Sequence, residues 1–320
     1  PACLRRCGCD HLDHRFLRRN DRAAGWRPAH DDRSPRQVRA SRLMETGVSW
    51  FEAVVLGVVQ GLTEFLPISS SAHILIVSRL FGWGDPGAAF TAVSQIGTEA
   101  AVLIYFRKDI GRILSTWTRS LRRPELRGEL DARMGWYIII GTLPIAIIGL
   151  TFANWIETAA RNLWLVATVL IVFGIVLGIA DRWGPKRKEI DSLGVRDGLL
   201  FGLGQALALI PGVSRSGATI STGLALGYSR YAATRYAFLL AIPAVLASGL
   251  YEATKIGDDP NVQWGQTLVA TAIALVIGYL VIAWLIRWVT TRSYLPFVIY
   301  RVVLGSVLLV LLATGVLAAT

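Results

Sequence analysis

The apolar run that starts at Val54 is broken almost as soon as it begins. Gln60-Gly-Leu-Thr-Glu64-Phe-Leu-Pro67-Ile-Ser69-Ser70-Ser71-Ala-His73 places an amide, a carboxylate, four hydroxyls and an imidazole where charge should be scarce. The pattern predicts a helix over 48–66, ended by Pro67 because the residue before a proline disfavours the helical region. A short second helix over 69–81 follows. Its thirteen residues rise only about 20 Å, less than the roughly 30 Å of a bilayer core, so residues 48–82 read as a re-entrant hairpin. Polar groups at that depth must face protein or a water-filled cavity.

Longer apolar stretches predict six spans, near 88–106, 134–153, 162–180, 231–251, 267–286 and 295–317. Between the third and fourth lies a second interrupted pair, 195–227, broken at Pro211-Gly212. The stretches 107–133, 182–194, 228–230 and 287–292 are basic and read as cytoplasmic loops, which puts 154–161 and 252–266 outside. On that count the hairpins enter from opposite faces. The expected fold is an all-α polytopic membrane protein of about six transmembrane helices plus two oppositely oriented re-entrant hairpins. Its surroundings are the lipid bilayer.

The two breaks also match each other. Gly57-Val-Val-Gln60 and Ile68-Ser69-Ser70-Ser71-Ala72 correspond, at a constant offset of 145, to Gly202-Leu-Gly-Gln205 and Val213-Ser214-Arg215-Ser216-Gly217. Paired broken segments entering from opposite sides mark an inverted-topology repeat, with the site where they meet.

Composition changes one part of this picture. Only 17% of residues are charged, against about 25% in soluble domains, and the mean hydropathy is +0.48. Of the net charge of +11, six units come from the first 43 residues, which hold eleven arginines and five aspartates. That segment also holds Cys3, Cys7, Cys9, His11, His14 and His30, at spacings irregular for a metal site. It has no hydrophobic periodicity and is expected to be a disordered, non-native extension, with Met44 the natural start and 44–320 one membrane-embedded domain. From Met44 onward there is no cysteine, so disulfides play no part.

The chemistry sits at the breaks. Pro211-Gly-Val-Ser-Arg-Ser-Gly-Ala-Thr219 suits an anion cradle. A helix start exposes amides at its positive end, Arg215 offers a planar fork for phosphate oxygens, and Gly212, Ser214, Ser216 and Thr219 line the loop, as Ser69 and Ser71 do at the first break. The bland alternative is a Gly/Ser packing motif with a snorkelling arginine. Gln60 and Glu64 share a helix face. Glu64 suits either a hard cation, Mg²⁺ or Ca²⁺, with the Gln60 carbonyl beside it, or acid–base work. His73, the only histidine after Met44, stands one turn beyond Ser69 and Ser70 and suits activation of a hydroxyl or a water.

These motifs together resemble the undecaprenyl-diphosphatase family of the bacitracin-resistance type, and Phe297-Val-Ile-Tyr300-Arg301 is similar to it too. The resemblance runs from about Val48 to the C-terminus. It implies an enzyme of the bacterial plasma membrane that removes the terminal phosphate of undecaprenyl diphosphate, recycles the lipid carrier of peptidoglycan synthesis, requires a divalent cation and opens its active site to the outer face. Glu64, Ser70, His73 and Arg215 match the family's key positions. Gln60 stands where many relatives carry glutamate, so this motif holds one carboxylate. The lipid phosphatases that use a downstream histidine nucleophile are excluded, because no histidine follows His73. A transporter or flippase of a polyprenyl-phosphate lipid is the rival reading, since inverted repeats with broken helices are its usual architecture. A homodimer is among the expected partners; nucleic acid is not.

Overall fold

Serines, prolines and glycines decide where the helices start and stop. The computed structural model describes residues 48–84, 86–152, 162–256 and 263–319; the extension expected over 1–43 and the outer loop 154–161 lie outside the described residues. Helix α1, Trp50–Thr63, begins with a capping box in which the Glu52 amide donates to the Ser49 hydroxyl and the Ser49 amide to the Glu52 carboxylate. A turn through Pro67 leads to α2, Ser70–Phe81, which stops at Gly82 in the left-handed conformation. The second hairpin repeats this plan: α7, Val195–Ala206, a short 3₁₀ turn Leu207–Leu209, the Pro211-Gly212 break, and α8, Arg215–Ala225. Four helices of 14, 12, 12 and 11 residues each rise about 16–21 Å.

Between the hairpins run α3 (Gly87–Tyr105), α4 (Arg107–Arg122), α5 (Leu130–Thr151) and α6 (Leu163–Trp183); α9 (Arg230–Ile256), α10 (Trp264–Thr291) and α11 (Leu295–Ala313) follow the second one. Among the described residues five helices are long and apolar enough to cross a membrane: α5, α6, α9, α10 and α11. The span expected over 88–106 is α3, 19 residues long. One expectation is corrected. The basic stretch 107–133 is not simply a loop, because its first part is the helix α4. Its arginines gather on one face while Ile110, Ile113, Leu114 and Leu121 recur at helical spacing, the pattern of a helix lying along an interface.

The basic ends share one face of the bundle. Asp109 at the start of α4 accepts hydrogen bonds from Arg112 (3.2 Å) and from Arg235 of α9 (2.7 Å). Asp181 at the end of α6 accepts from Arg230 (2.5 Å) and from the Tyr294 amide before α11 (2.9 Å). Asp197 at the start of α7 accepts from Lys188 (3.0 Å) and the Tyr228 hydroxyl (2.6 Å); burial and that bond to the carboxylate push the Tyr228 phenol up. Trp50, at the start of α1, lies instead against Gly265 at the opposite end of α10. The two hairpins therefore start from opposite ends of the bundle.

Each hairpin leans on a long helix of the other half, α1 on α10 and α7 on α5. The contacts are backbone-close at the glycines matched by the repeat. A Cβ on Gly57 would meet the Ala270 carbonyl oxygen at 2.7 Å, and one on Gly202 the Gly141 carbonyl oxygen at 2.2 Å. Gly202→Ala should therefore destabilise the protein by about 1–3 kcal/mol, read as a lower melting temperature in detergent. An unchanged melting temperature would show that α7 and α5 are not held at this distance.

Candidate active site

The same backbone distortion occurs at both breaks. Ser69 has φ 76° and Ser214 has φ 72°, two of the three non-glycine residues with positive φ among those described, and they stand 145 positions apart. Such a residue costs of order 1–3 kcal/mol and persists where its surroundings hold it. The local bonds match as well. The Ser69 and Ser71 hydroxyls share a hydrogen bond of 3.3 Å, and those of Ser214 and Ser216 one of 3.2 Å. The repeat is thus one loop built twice.

What the copies contribute differs. From the first come Glu64, Ser70 and His73; from the second comes Arg215, the residue in register with Ser70. Arg215 Nη2 donates to Glu64 Oε1 as a direct ion pair. Glu64 Oε2 accepts from Ser70 Oγ at 2.5 Å and from Gln60 Nε2 at 2.8 Å. Ser216 Oγ donates to the Leu66 carbonyl at 3.1 Å, so the breaks also touch through their loops. The carboxylate, serine and arginine form one cluster, with Glu64 buried and Arg215 partly exposed.

His73 is turned away from Ser70. Its Nδ1 donates to the Ser69 carbonyl at 2.7 Å, an oxygen that can only accept. In the neutral ring Nε2 then carries the lone pair, and it accepts from the Tyr300 hydroxyl at 2.7 Å. The partner that Ser70 finds is Glu64.

Helix α11 supplies the part that sequence reasoning left unassigned. Arg301 is wholly buried and ties both breaks together. Its Nη1 donates to the Pro67 carbonyl (2.9 Å), its Nη2 to those of Gly212 and Val213 (both 3.0 Å), and its Nε to that of Leu170 (3.2 Å). Each broken helix leaves carbonyls without intrahelical partners, and one planar guanidinium serves three of them at once. The available signal was that Arg301 is the only charged residue in an apolar span. Tyr300→Phe should remove the donor that orients His73. We expect kcat to fall about tenfold with little change in KM or melting temperature, and an unaltered kcat would leave Tyr300 without a role.

The remaining loop residues brace the site. Gly212 takes φ 90°, and a Cβ there would lie 2.8 Å from the Val166 carbonyl oxygen. The Ser214 hydroxyl accepts from the Gly217 amide, and Thr219, buried, donates to the Arg215 carbonyl. Ser69 holds His73 through its carbonyl rather than its hydroxyl. Among the described residues no group of three or more histidines, cysteines or acids gathers as a metal site. The Gln60 carbonyl oxygen is nevertheless buried with no hydrogen-bond partner. The amide nitrogen faces Glu64, and the free amide oxygen together with the Glu64 carboxylate supplies hard oxygen donors of the kind Mg²⁺ or Ca²⁺ accepts when phosphates and water complete the shell.

Comparison with known proteins bears on this arrangement. The family model described as Bacitracin resistance protein BacA matches residues 53–307. An undecaprenyl-diphosphatase of Nocardioides sp. is 62% identical over 273 residues, covering 85% of this chain and 100% of the relative. Undecaprenyl-diphosphatase 2 of Streptomyces coelicolor is 58% identical over 283 residues, covering 85% and 97%. The Micrococcus luteus undecaprenyl-diphosphatase is 59% identical over 277 residues, covering 85% and 100%.

Proposed function

The chain belongs to the bacitracin-resistance BacA family, and we infer that it is an integral membrane hydrolase converting undecaprenyl diphosphate to undecaprenyl phosphate and inorganic phosphate. By that reaction it recycles the lipid carrier of peptidoglycan synthesis and confers resistance to bacitracin. The observation that carries the chemistry is the meeting of Arg215 with Glu64 and Ser70 between the two breaks. The relatives are diphosphatases by name, which gives the transporter reading no support.

We propose the following roles. The substrate diphosphate draws Arg215 from Glu64 and takes its fork, together with the amides at the start of α8, where the helix dipole favours negative charge. Ser70 Oγ, already donating to Glu64, gives its proton to that carboxylate and attacks the terminal phosphorus. The bond to the bridging oxygen breaks and undecaprenyl phosphate leaves. Water then cleaves the phosphoserine to release inorganic phosphate and restore Ser70. His73, held between the Ser69 carbonyl and the Tyr300 hydroxyl, fixes the loop that presents Ser70. Glu64 and Gln60 would hold a divalent cation, which supplies positive charge to the phosphates.

Rapid acid quench of enzyme with substrate labelled at the terminal phosphate tests the covalent step. Labelled phosphoserine at position 70, absent from Ser70→Ala, is the expected result. Full activity in Ser70→Ala would transfer the attack to water. Phosphate release should also collapse on adding EDTA and return with Mg²⁺ or Ca²⁺; release indifferent to EDTA would remove the cation from the reading.

We further propose that the site opens to the outer face. The support is the grouping of basic ends on one side of the bundle, with the first hairpin starting from the other. In a chain whose Cys3, Cys7 and Cys9 are serine, Gly84→Cys should react with an impermeant maleimide on intact cells and Ser229→Cys only after permeabilisation. The opposite pattern would reverse the orientation.

A further inference from the structure

One buried carboxylate near the site has no role in the mechanism above. Glu99 lies in α3, only 3% exposed, and its Oε1 has no hydrogen-bond partner. Val102, one turn further along the same helix face, lines a small cavity with Glu64, Phe65, Arg215 and Ser216. Thr98 and Ala101, flanking Glu99, meet Phe65 around Gly278 of α10. The Gln60 amide is fully buried, with its nitrogen 2.8 Å from Glu64 Oε2 and its oxygen without a hydrogen-bond partner.

We propose that Glu99 is the second carboxylate of this site and that Glu64, Glu99 and the Gln60 carbonyl together seat one divalent cation. The proposal rests on the cation-dependent reading above and adds to it the residue that completes the donor set. A buried carboxylate oxygen with no partner is costly and asks for a proton or a cation. In the substrate-free arrangement Arg215 balances one carboxylate. Once a diphosphate takes Arg215, both carboxylates are left without a cation, and a divalent ion offsets both. The donors are hard oxygens, as Mg²⁺ and Ca²⁺ require. The cavity between Glu64 and Arg215 measures about 10 Å³, room for roughly one water-sized body. Gln60 contributes no charge, so the second negative charge comes from α3 instead of α1.

The test is Mn²⁺ binding to the full chain in detergent, followed by the electron paramagnetic resonance of the free ion. Glu99→Gln keeps the shape and removes the charge, and it should weaken Mn²⁺ binding at least tenfold with helicity and melting temperature retained. Restoring a carboxylate on the other helix, Gln60→Glu in the Glu99→Gln background, should recover most of that loss, which a merely structural role for Glu99 would not produce. Glu99→Asp, which keeps the charge, should bind more tightly than Glu99→Gln and serves if the latter fails to fold. Equal Mn²⁺ affinity in wild type, Glu99→Gln and Glu99→Asp overturns the assignment of Glu99 and leaves the cation reading standing. No binding by the wild-type chain overturns the cation reading and this proposal with it.

Discussion

Arg215→Ala should lower phosphate release from undecaprenyl diphosphate by at least about a thousandfold while the protein still folds. An arginine that meets charge developing on a transferring phosphoryl group contributes on the order of 10³–10⁵ in rate, and Arg215 is the cation paired with Glu64 where the two breaks meet. Its removal frees a buried carboxylate, which costs stability. The arginine is itself about a fifth exposed, so solvent screens part of that cost. Arg215→Lys, which keeps the charge and loses the fork, should fall between the two. Glu64→Gln separates the roles: the Arg215 partner and the Ser70 acceptor go together, and combining it with Arg215→Ala should lose much less than the sum of the single effects. A detergent-purified Arg215→Ala enzyme working within tenfold of wild type would sink the assignment.

Arg301→Ala should do the reverse, losing the fold before the chemistry is reached. Four carbonyls lose their donor at once, three of them at the breaks, and a cavity opens where a fully buried side chain stood. Each unpartnered buried acceptor costs about 1–3 kcal/mol, and the cavity left by truncating a large buried side chain adds about 2–5 kcal/mol. The combined effect should lower the detergent melting temperature by roughly 10 °C or more or prevent accumulation in the membrane. Arg301→Lys keeps a charge but cannot reach Pro67, Gly212 and Val213 with one planar group, so it should recover only part of the loss. A melting temperature unchanged in Arg301→Ala would mean the breaks hold their strained serines without it. Arg215 and Arg301, 86 positions apart, thus divide two tasks: the first meets the substrate and the second holds the loops that present it.

Legibility differed between the residues of the site. Gln60, Glu64, Ser70, His73 and Arg215 stood out because each is polar in a segment that periodicity marks as apolar, and the repeat at an offset of 145 tied the two segments together. Arg301 carried the same anomaly but lacked a motif of its own, and Tyr300 is an ordinary interfacial type. Glu99 was hidden for another reason: α3 carries Ser94, Gln95 and Thr98 nearby, so one more polar residue did not break a pattern. The charge of 107–133 points to a loop, and only the period of Ile110, Ile113, Leu114 and Leu121 points to the helix α4.

The sequence alone determined the helical class, the two interrupted pairs, their opposite entry and the residue types at each break. These follow from local rules: hydrophobic run length against bilayer thickness, proline against helix, and charge against lipid. Only the tertiary structure decided that Ser70 donates to Glu64 rather than to His73, that His73 belongs to Tyr300, and that one buried guanidinium from α11 closes both loops. Those choices depend on which hydrogen-bond partners come within about 3 Å once helices far apart in the chain are packed, and no local pattern encodes that distance.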